Sequence, residues 1–226
     1  MTVETCDPSR CFLCTHCLPE WRGAIAANKQ TFHYKKGQSI FREGEEVNGI
    51  YFIYSGAVKV HQSWGNDKEL ILYFAAAGDV VGHRGQGGET TFPVSATALD
   101  NTWTCFIPNT FLETTFVTNP SFLYAIMQLY AGELRKAEKR MRNLALVDVR
   151  GRIAVALFTI QETFGLDGEG YIKVAVTRID IASFAGTTYE TVFRLFSDWS
   201  GAGIIDSSGK SIRINASDQL RRFIQH

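Results

Sequence analysis

The segment VTRIDIASFAGTTYETVFRLF, from Val176 to Phe196, carries the clearest structural signal in the C-terminal part of the chain. Thr177 and Asp180 have the three-residue spacing of a capping box, which predicts the start of a first helix. Gly186 then supplies a tight turn before a second apolar-periodic segment. The later segment GKSIRI, residues 209–214, favours a two-stranded wing after a glycine-bearing turn. Together these signals predict a winged helix-turn-helix.

The second predicted helix carries side chains that suit base recognition. Thr187 and Glu190 have capping-box spacing, so this helix is predicted to begin at Thr187. Glu190 and Arg194 lie four residues apart and therefore share one face. An arginine can donate two hydrogen bonds to guanine O6 and N7, and a glutamate can accept one from cytosine N4. We therefore expect this helix to bind specific DNA sequences.

Bulk composition places the chain among ordinary globular proteins. It has 226 residues, of which 45% are hydrophobic and 20% are charged, and its formal net charge is zero. No apolar run reaches the roughly 18 residues that a membrane span needs, and no secretory signal is recognised at the N-terminus. We expect a cytoplasmic protein without a membrane partner. No nucleophile–base pair or phosphate-gripping loop is recognised, so we expect no enzymatic activity.

The middle of the chain is predicted to be a compact antiparallel β-structure. From residue 30 to about residue 107, short apolar runs such as GIYFIYSGAVKV alternate with glycine turns. This pattern is typical of a small sandwich or roll. We therefore predict an α+β protein with three parts: a cysteine-rich segment and sensory β-roll over residues 1–118, a long helix over residues 119–147, and the winged helix-turn-helix over residues 148–226.

A long helix is predicted to begin at Asn119 and Pro120, since proline fits the first helical turn. Its apolar residues recur at alternating spacings of four and three, which is typical of a helix that pairs with a copy of itself. We name this set the seam: Leu123, Met127, Tyr130, Leu134, Ala137, Met141 and Leu144. Packing on its own domain is the alternative, but an unbroken seam favours a two-fold homodimer.

The order β-roll, long helix and winged helix-turn-helix resembles the Crp/Fnr superfamily of bacterial transcription regulators over essentially the whole chain. The segments that carry the resemblance are KKGQSIFREGEEVNGIYFIYSGAVKV, LYFAAAGDVVG and TRIDIASFAGTTYETVFRLF. The resemblance implies that the β-roll is an antiparallel jelly-roll like that of cyclic-nucleotide-binding domains. It also implies two partners, which are double-stranded DNA with a pseudo-palindromic site and RNA polymerase. The resemblance also implies that Glu190 and Arg194 contact base edges. A phenylalanine, Phe193, stands where the family commonly has serine or glycine.

The resemblance also implies further contacts with DNA. These candidates are Arg178, Thr187, Thr188 and Tyr189 on the two helices, Phe193 between the base-reading pair, and Lys210 and Arg213 on the wing. A phenylalanine can contact the thymine methyl group. The base preference of this chain is therefore predicted to differ from that of family members with serine or glycine there.

The β-roll does not match the cyclic-AMP-binding branch of the family. That branch uses an arginine to hold the cyclic phosphate, and the corresponding position here is Val94. The acidic residue of the same phosphate-binding segment is replaced by His83. We therefore expect no cyclic AMP binding, although a pocket could still form around four residues: Gly82, His83, Arg84 and Ser95.

Five cysteines suggest what the N-terminal part senses. Cys6, Cys11, Cys14 and Cys17 crowd the first seventeen residues, and Cys105 stands alone in the segment CFIP. The resemblance to the oxygen-responsive Fnr branch implies a [4Fe–4S] cluster, held by Cys11, Cys14, Cys17 and Cys105 with Cys6 spare, because such a cluster needs four thiolates.

Other uses of these cysteines stay open at this point. Repeated C-x-x-C spacing suits zinc or a thiol switch about as well as iron and sulfur. The cysteines could equally be free thiols that bind no metal. A sensor or interaction module with a winged helix that no longer binds specific DNA is the alternative function, and the neutral net charge keeps it in view.

Overall fold

The computed structural model describes residues 7–65, 68–86, 88 and 90–224. These residues form two compact units. One lies within Met1–Val60 and Ala75–Leu134, and the other lies within His61–Phe74 and Arg135–His226. Among the described residues, no helix is both long and apolar enough to cross a membrane.

Within the described part of the chain, the β-roll consists of two four-stranded sheets. Its eight strands are β1 (Gln30–Tyr34), β2 (Ser39–Phe41), β3 (Gly49–Ser55), β4 (Ala57–Trp64), β5 (Lys68–Ala76), β6 (Val80–Val81), β7 (Ser95–Ala98) and β8 (Thr102–Pro108). One sheet has the order β1-β8-β3-β6 and the other has the order β2-β7-β4-β5. The resolved pairs of the first sheet, β1 with β8, β8 with β3 and β3 with β6, are antiparallel. This confirms the predicted β-roll.

One glycine of β3 is required because another chain segment approaches it closely. A Cβ atom added to Gly49 would lie 2.1 Å from the Ile107 carbonyl oxygen and 2.6 Å from the Phe106 ring. Backbone of the neighbouring strand β8 cannot withdraw without breaking the pairing of β3 with β8. Gly49 therefore marks a position where no side chain fits.

We expect Gly49→Ala to lower the free energy of unfolding of the β-roll by about 3 kcal/mol or more, because overpacked cores commonly lose 1–3 kcal/mol and here the clash is with backbone. Urea denaturation followed by tryptophan fluorescence would measure the change. Gly23→Ala is the matched control, since a Cβ there meets nothing within 4 Å. That helical position should gain up to about 1 kcal/mol. Equal stability of both variants would contradict this account of Gly49.

The N-terminal segment is folded onto the β-roll unit. It contains α1 (Phe12–His16), a 3-10 turn (Pro19–Trp21) and α2 (Arg22–Asn28). The Leu18 amide donates to the Asn119 side chain at 2.8 Å, and the Trp21 indole donates to the Thr115 hydroxyl at 3.2 Å. The segment is thereby held at the junction between the two helices that follow the roll.

Those two helices are α3 (Asn109–Thr118) and α4 (Pro120–Leu146). The long helix α4 begins at Pro120, as the sequence predicted. The first half of α4 has a buried side, formed by Phe122, Ala125 and Ile126. Most of the seam lies away from that side and is exposed. The helix α3 was not predicted, because its apolar residues do not follow a strong helical period.

The C-terminal unit contains the winged helix-turn-helix. Its elements are α5 (Val149–Phe164), α6 (Arg178–Ala185), α7 (Tyr189–Gly201), β9 (Ile205–Ser208), β10 (Ser211–Ile214) and α8 (Ser217–Arg222). The wing strands β9 and β10 pair antiparallel. The Asp148 side chain caps α5 by accepting from the Gly151 amide at 2.7 Å. The predicted winged helix-turn-helix is confirmed.

Residues 61–74 of the β4–β5 hairpin belong to the same unit as the helix-turn-helix. The Ser183 hydroxyl of α6 accepts from the Ile71 amide at 3.2 Å. Arg140 of α4 donates to the Leu72 and Phe184 carbonyls at 2.6 and 2.8 Å. Burial lowers the pKa of Arg140 to about 10. The hairpin, α4 and α6 therefore share a buried, charge-assisted contact that the sequence did not reveal.

Candidate DNA interface and cysteine cluster

The turn between α6 and α7 is fixed by local hydrogen bonds. Thr177 accepts from the Asp180 amide at 3.1 Å, and the Asp180 carboxylate accepts from the Thr177 amide at 3.2 Å, which confirms the predicted capping box. Gly186 adopts a left-handed conformation with φ of 62° and ends α6. Glycine reaches this conformation without strain, so the two helices join in three residues.

The start of α7 differs by one residue from the prediction. Thr188, and not Thr187, caps the helix and accepts from the Thr191 amide at 3.3 Å. Thr187 instead donates its amide to the Ala182 carbonyl at 3.0 Å and belongs to the turn. Glu190 therefore lies in the first helical turn without being the acid of a capping box. Its carboxylate is not used to cap the helix.

Helix α7 has one buried side and one exposed side. The buried side consists of Val192, Leu195, Phe196 and Trp199. Glu190 and Arg194 are both exposed and lie four residues apart on the opposite side. Tyr189 and Phe193 form a second row next to them, with exposures of 43% and 53%. The sequence-predicted base-reading residues are therefore presented together on the solvent side of one helix.

Two predicted DNA contacts are engaged within the unit. Arg178 is half-buried and donates to the Ser207 hydroxyl at 2.9 Å. Arg213 donates to the Asp206 carboxylate at 3.1 Å and lies 4.8 Å from the centre of the Tyr171 ring. Both arginines thus brace the wing in this conformation. Intramolecular partners of this kind cannot be recognised from sequence spacing.

Lys210 differs from these two arginines because it is exposed at the tip of the wing. It also lines a cleft of about 320 Å³ between the wing and the starts of α6 and α7. Tyr189 and Arg178 line the same cleft. The wing lysine and the first turn of α7 therefore border one surface.

Four cysteines meet in one apolar cluster. Cys11, Cys14 and Cys17 lie at the start, middle and end of α1, and Cys105 lies in β8. All four are buried, and none of them forms a disulfide among the described residues. They belong to the same core cluster, together with Leu13 and Ile107. Cys6 lies outside the described residues. The structure thus brings together the four predicted ligands, although Cys105 is 88 positions beyond Cys17 in the sequence.

Two thiols of this cluster, those of Cys14 and Cys17, favour their protonated form. A hydrogen bond with Cys11, then burial, raise the pKa of Cys14 well above its ordinary value. Burial, and the proximity of Cys11, raise the pKa of Cys17 to about 12. Among the described residues, no three His, Cys, Asp or Glu side chains are arranged to hold a metal ion. The four thiols are therefore neighbours without being a preformed ligand set.

We expect the metal-free protein to lose stability in alkaline solution because of Cys17. A thiol has a pKa of about 8.5 in an unfolded chain, whereas the pKa of Cys17 is about 12 in the folded protein. The folded state binds the Cys17 proton more tightly than the unfolded chain does. The contribution of Cys17 to the free energy of unfolding is therefore complete below the pKa of the unfolded thiol, and it is lost as pH rises towards 12. Thermal unfolding between pH 8 and 12 would measure it. Cys17→Ala should flatten the decline, and an unchanged pH dependence in that variant would contradict the assignment.

The predicted β-roll pocket is closed by an acidic residue that the sequence did not single out. The Glu133 carboxylate of α4 accepts from Arg84 at 2.9 Å and lies 3.2 Å from His83 Nε2. Burial alone would raise the pKa of Glu133. Hydrogen bonds and charges of His83 and Arg84 outweigh this effect, so the pKa of Glu133 is lowered. Ser95 is buried and accepts from the Glu43 amide at 2.9 Å. These residues therefore do not leave an open anion site.

The seam of α4 is largely solvent-exposed. Its exposed fractions are 43% for Leu123, 58% for Met127, 61% for Leu134, 65% for Met141 and 37% for Leu144. Ala137 is exposed as well. Tyr130 is half-buried, and its hydroxyl donates to the His83 carbonyl, so it turns partly towards the β-roll. Apart from Tyr130, the predicted seam is a continuous exposed apolar stripe.

Comparison with known proteins agrees with this architecture. A cyclic nucleotide-binding domain model matches residues 31–119, and a Crp-like helix-turn-helix domain model matches residues 151–223. The fumarate and nitrate reduction regulatory protein of Salmonella typhimurium is 30% identical over 196 residues, which cover 85% of this chain and 77% of that protein. The transcriptional activator protein anr of Pseudomonas aeruginosa is 31% identical over 188 residues, covering 82% and 77%.

A solved structure supports the same assignment. FixK2 from Bradyrhizobium japonicum is 26% identical, and the match covers 86% of this chain and 96% of that one with a TM-score of 0.77. The relatives are regulators and not enzymes, in agreement with the prediction from sequence. The β-roll, the long helix and the winged helix-turn-helix follow one another here in the order that the sequence predicted. The chain therefore belongs to the Crp/Fnr family of transcription regulators.

Proposed function

We propose that this regulator is a cytoplasmic homodimer that binds a pseudo-palindromic site in double-stranded DNA through α7. The observation that carries the proposal is the exposed pair Glu190 and Arg194 on the solvent side of a capped, well-packed helix. Such a pair can satisfy cytosine and guanine edges in the major groove. Lys210 at the wing tip adds a positive charge suited to a phosphate.

Dimer formation is supported by the exposed seam of α4. Large apolar side chains exposed along about six turns of a helix cost free energy unless a partner covers them. The four–three spacing suits a copy of the same helix. A two-fold dimer then places two α7 helices on two half-sites, which explains why the site should be an inverted repeat. RNA polymerase is the further partner that we propose, since one relative is named a transcriptional activator.

Selection from a pool of random-sequence duplexes with the full chain would test this function. We expect enrichment of an inverted repeat, bound more weakly as salt rises. Lys210→Ala should weaken binding to every duplex alike, because a phosphate contact carries no sequence information. A chain that retains no duplex, or retains all sequences equally, would favour the alternative of an interaction module whose winged helix does not bind specific DNA.

We further propose that the cysteine cluster controls this regulator by holding a [4Fe–4S] group. The four thiols share one buried core cluster and are the donors that such a group needs. Because they are not a preformed ligand set, Cys11, Cys14, Cys17 and Cys105 would have to move closer together to hold it. When bound, the group supplies redox sensitivity. Zinc is the second candidate, since four thiolates also suit a structural zinc site.

The placement of α1 supports a route from this cluster to α4. The segment that follows α1 is hydrogen-bonded to Asn119, directly before α4, and Phe12 of α1 lies 6.3 Å from Phe122 of α4. A change in α1 would therefore bias the position of α4. An effector acts only through a difference in its affinity for the two states.

Anaerobic purification followed by iron, sulfide and zinc assays would test the sensory proposal. We expect about four irons and four sulfides per chain, in keeping with a [4Fe–4S] group on four thiolates. Cys105→Ser should lower both contents, whereas a serine in place of an exposed residue, such as Thr15→Ser, should not. Zinc without iron would favour the second candidate. Absence of all three from fully folded protein would contradict both. We propose no cyclic AMP site, because Arg84 is already paired with Glu133.

A further inference from the structure

The recognition helix carries an aromatic row whose role is not explained by folding. Tyr189 and Phe193 lie one turn apart with ring centres 6.1 Å from each other. Their exposed fractions are 43% and 53%, although both rings are large and apolar. The buried side of α7 is already filled by other residues. The row therefore lies on the same solvent side as Glu190 and Arg194, where it adds little to the hydrophobic core.

Phe193 is nevertheless held in a defined place. The Arg178 guanidinium lies 5.8 Å from the centre of the Phe193 ring and 5.5 Å from that of Phe196. Arg178 is itself tied to Ser207 of the wing by a hydrogen bond of 2.9 Å. A guanidinium over an aromatic face is attracted to the ring, and the Tyr189 ring lies 6.1 Å from that of Phe193. Phe193 is thus an exposed ring on a braced support.

The chemistry of a DNA groove offers one apolar group to such a ring. In the major groove the thymine C5-methyl is the apolar feature of the base edges, and cytosine has a hydrogen at the same position. Arg194 follows Phe193 on α7, and Lys210 lines the same cleft as Tyr189. These two positive charges, beside the single carboxylate of Glu190, favour a polyanionic partner over an apolar protein surface. A ring fixed beside Arg194 is therefore placed to contact a base next to the one that the arginine reads.

We infer that Phe193 is a specificity-determining residue that recognises the thymine methyl group, with Arg178 and Tyr189 as positioning residues. The inference rests on the proposed DNA binding through α7. It adds which base Phe193 contacts and which group of that base it recognises. It explains why a bulky apolar side chain stands between Glu190 and Arg194. It also predicts that this regulator prefers thymine to cytosine, and thymine to deoxyuridine, at one position of each half-site.

The test uses the full chain and the duplex obtained by selection. Each thymine is replaced in turn by deoxyuridine, which removes only the methyl group, and affinity is measured by fluorescence anisotropy. We expect one thymine per half-site at which the wild-type chain loses about three- to fivefold in affinity, the effect of burying one methyl group. Replacing both symmetry-related thymines should cost about tenfold or more, since the two contacts act at separate sites.

Two variants at one position provide the matched comparison. Phe193→Ser removes the apolar surface, so its affinity should no longer depend on that methyl group. Phe193→Leu keeps an apolar side chain and should keep the dependence in the same direction. A cytosine–guanine pair at the same position should weaken binding of the wild-type chain, because cytosine lacks the methyl group. Replacing that cytosine by 5-methylcytosine should restore affinity for the wild-type chain but not for Phe193→Ser.

The outcomes separate this inference from the function on which it rests. If the wild-type chain selects no duplex, the proposed DNA binding fails. If it selects one and every deoxyuridine duplex binds as tightly as the parent, the inference is wrong. Equal methyl dependence in wild type and Phe193→Ser would also overturn it. If Phe193→Ser instead changes only the self-association of the free chain, the row is a protein contact and the inference fails.

Discussion

Arg194→Ala is expected to lower the affinity for the selected duplex by about 100-fold. A bidentate arginine–guanine contact contributes about 1–3 kcal/mol of discrimination, and a two-fold dimer makes the contact twice. Arg194 is exposed and lies outside the buried side of α7, so its removal should leave folding intact. The loss should therefore appear in binding and not in the thermal midpoint.

The pattern of the loss is more informative than its size. Arg194→Ala should relax selection at one base pair per half-site, while its affinity for unrelated duplexes falls only slightly. Ser197→Ala is the matched control, because Ser197 is exposed one turn further along the same helix. Competition titrations at two salt concentrations would separate these effects. If Arg194→Ala lowered the affinity for all duplexes by the same factor, Arg194 would contact a phosphate and not a base edge.

Leu134→Glu combined with Met141→Glu is expected to convert the dimer into monomers. Both residues belong to the seam, with exposures of 61% and 65% in the single chain. Each apolar side chain contributes about 1.5–3 kcal/mol when buried, and each variant position occurs twice in a two-fold dimer. Burying four unpaired carboxylates would add a further cost. The dissociation constant should rise by about four orders of magnitude or more.

Sedimentation velocity over a range of concentrations would measure this change. The matched control reverses charge on the outer positions of the same helix, Arg135→Glu with Lys139→Glu, where the side chains are exposed and off the seam. The control should stay dimeric. A seam variant that remains dimeric, with circular dichroism like that of the wild type, would show that α4 does not carry the interface.

The helix-turn-helix and the β-roll were predictable because local chemistry specifies them. The spacing of Thr177 and Asp180 and the position of Gly186 are constraints within one turn of the backbone. Repeated glycine turns between apolar runs likewise indicate short strands. The start of α7 was placed one residue early, since Thr187 and Thr188 can both cap a helix and only the turn geometry chooses between them.

Contacts between distant segments were less predictable. Glu133 closes the space beside His83 and Arg84, but nothing in its position 50 residues from His83 indicates that pairing. The β4–β5 hairpin contact with Ser183 spans more than 100 residues and depends on how the segments pack. The resemblance to the Fnr branch related Cys105 to the N-terminal cysteines, whereas their shared burial required the fold. Arg213 was assigned to DNA by its place on the wing, and its bond to Asp206 appears only in three dimensions.

The mass of the complex with the selected duplex shows whether two chains read DNA together through α7. Analytical ultracentrifugation of the full chain with one fluorescent duplex gives the number of chains bound per duplex. We expect two chains on a duplex that contains the inverted repeat, and loss of that species on a duplex with one half-site scrambled. One chain per duplex, or equal binding to the scrambled duplex, would contradict a two-fold dimer that reads DNA through α7.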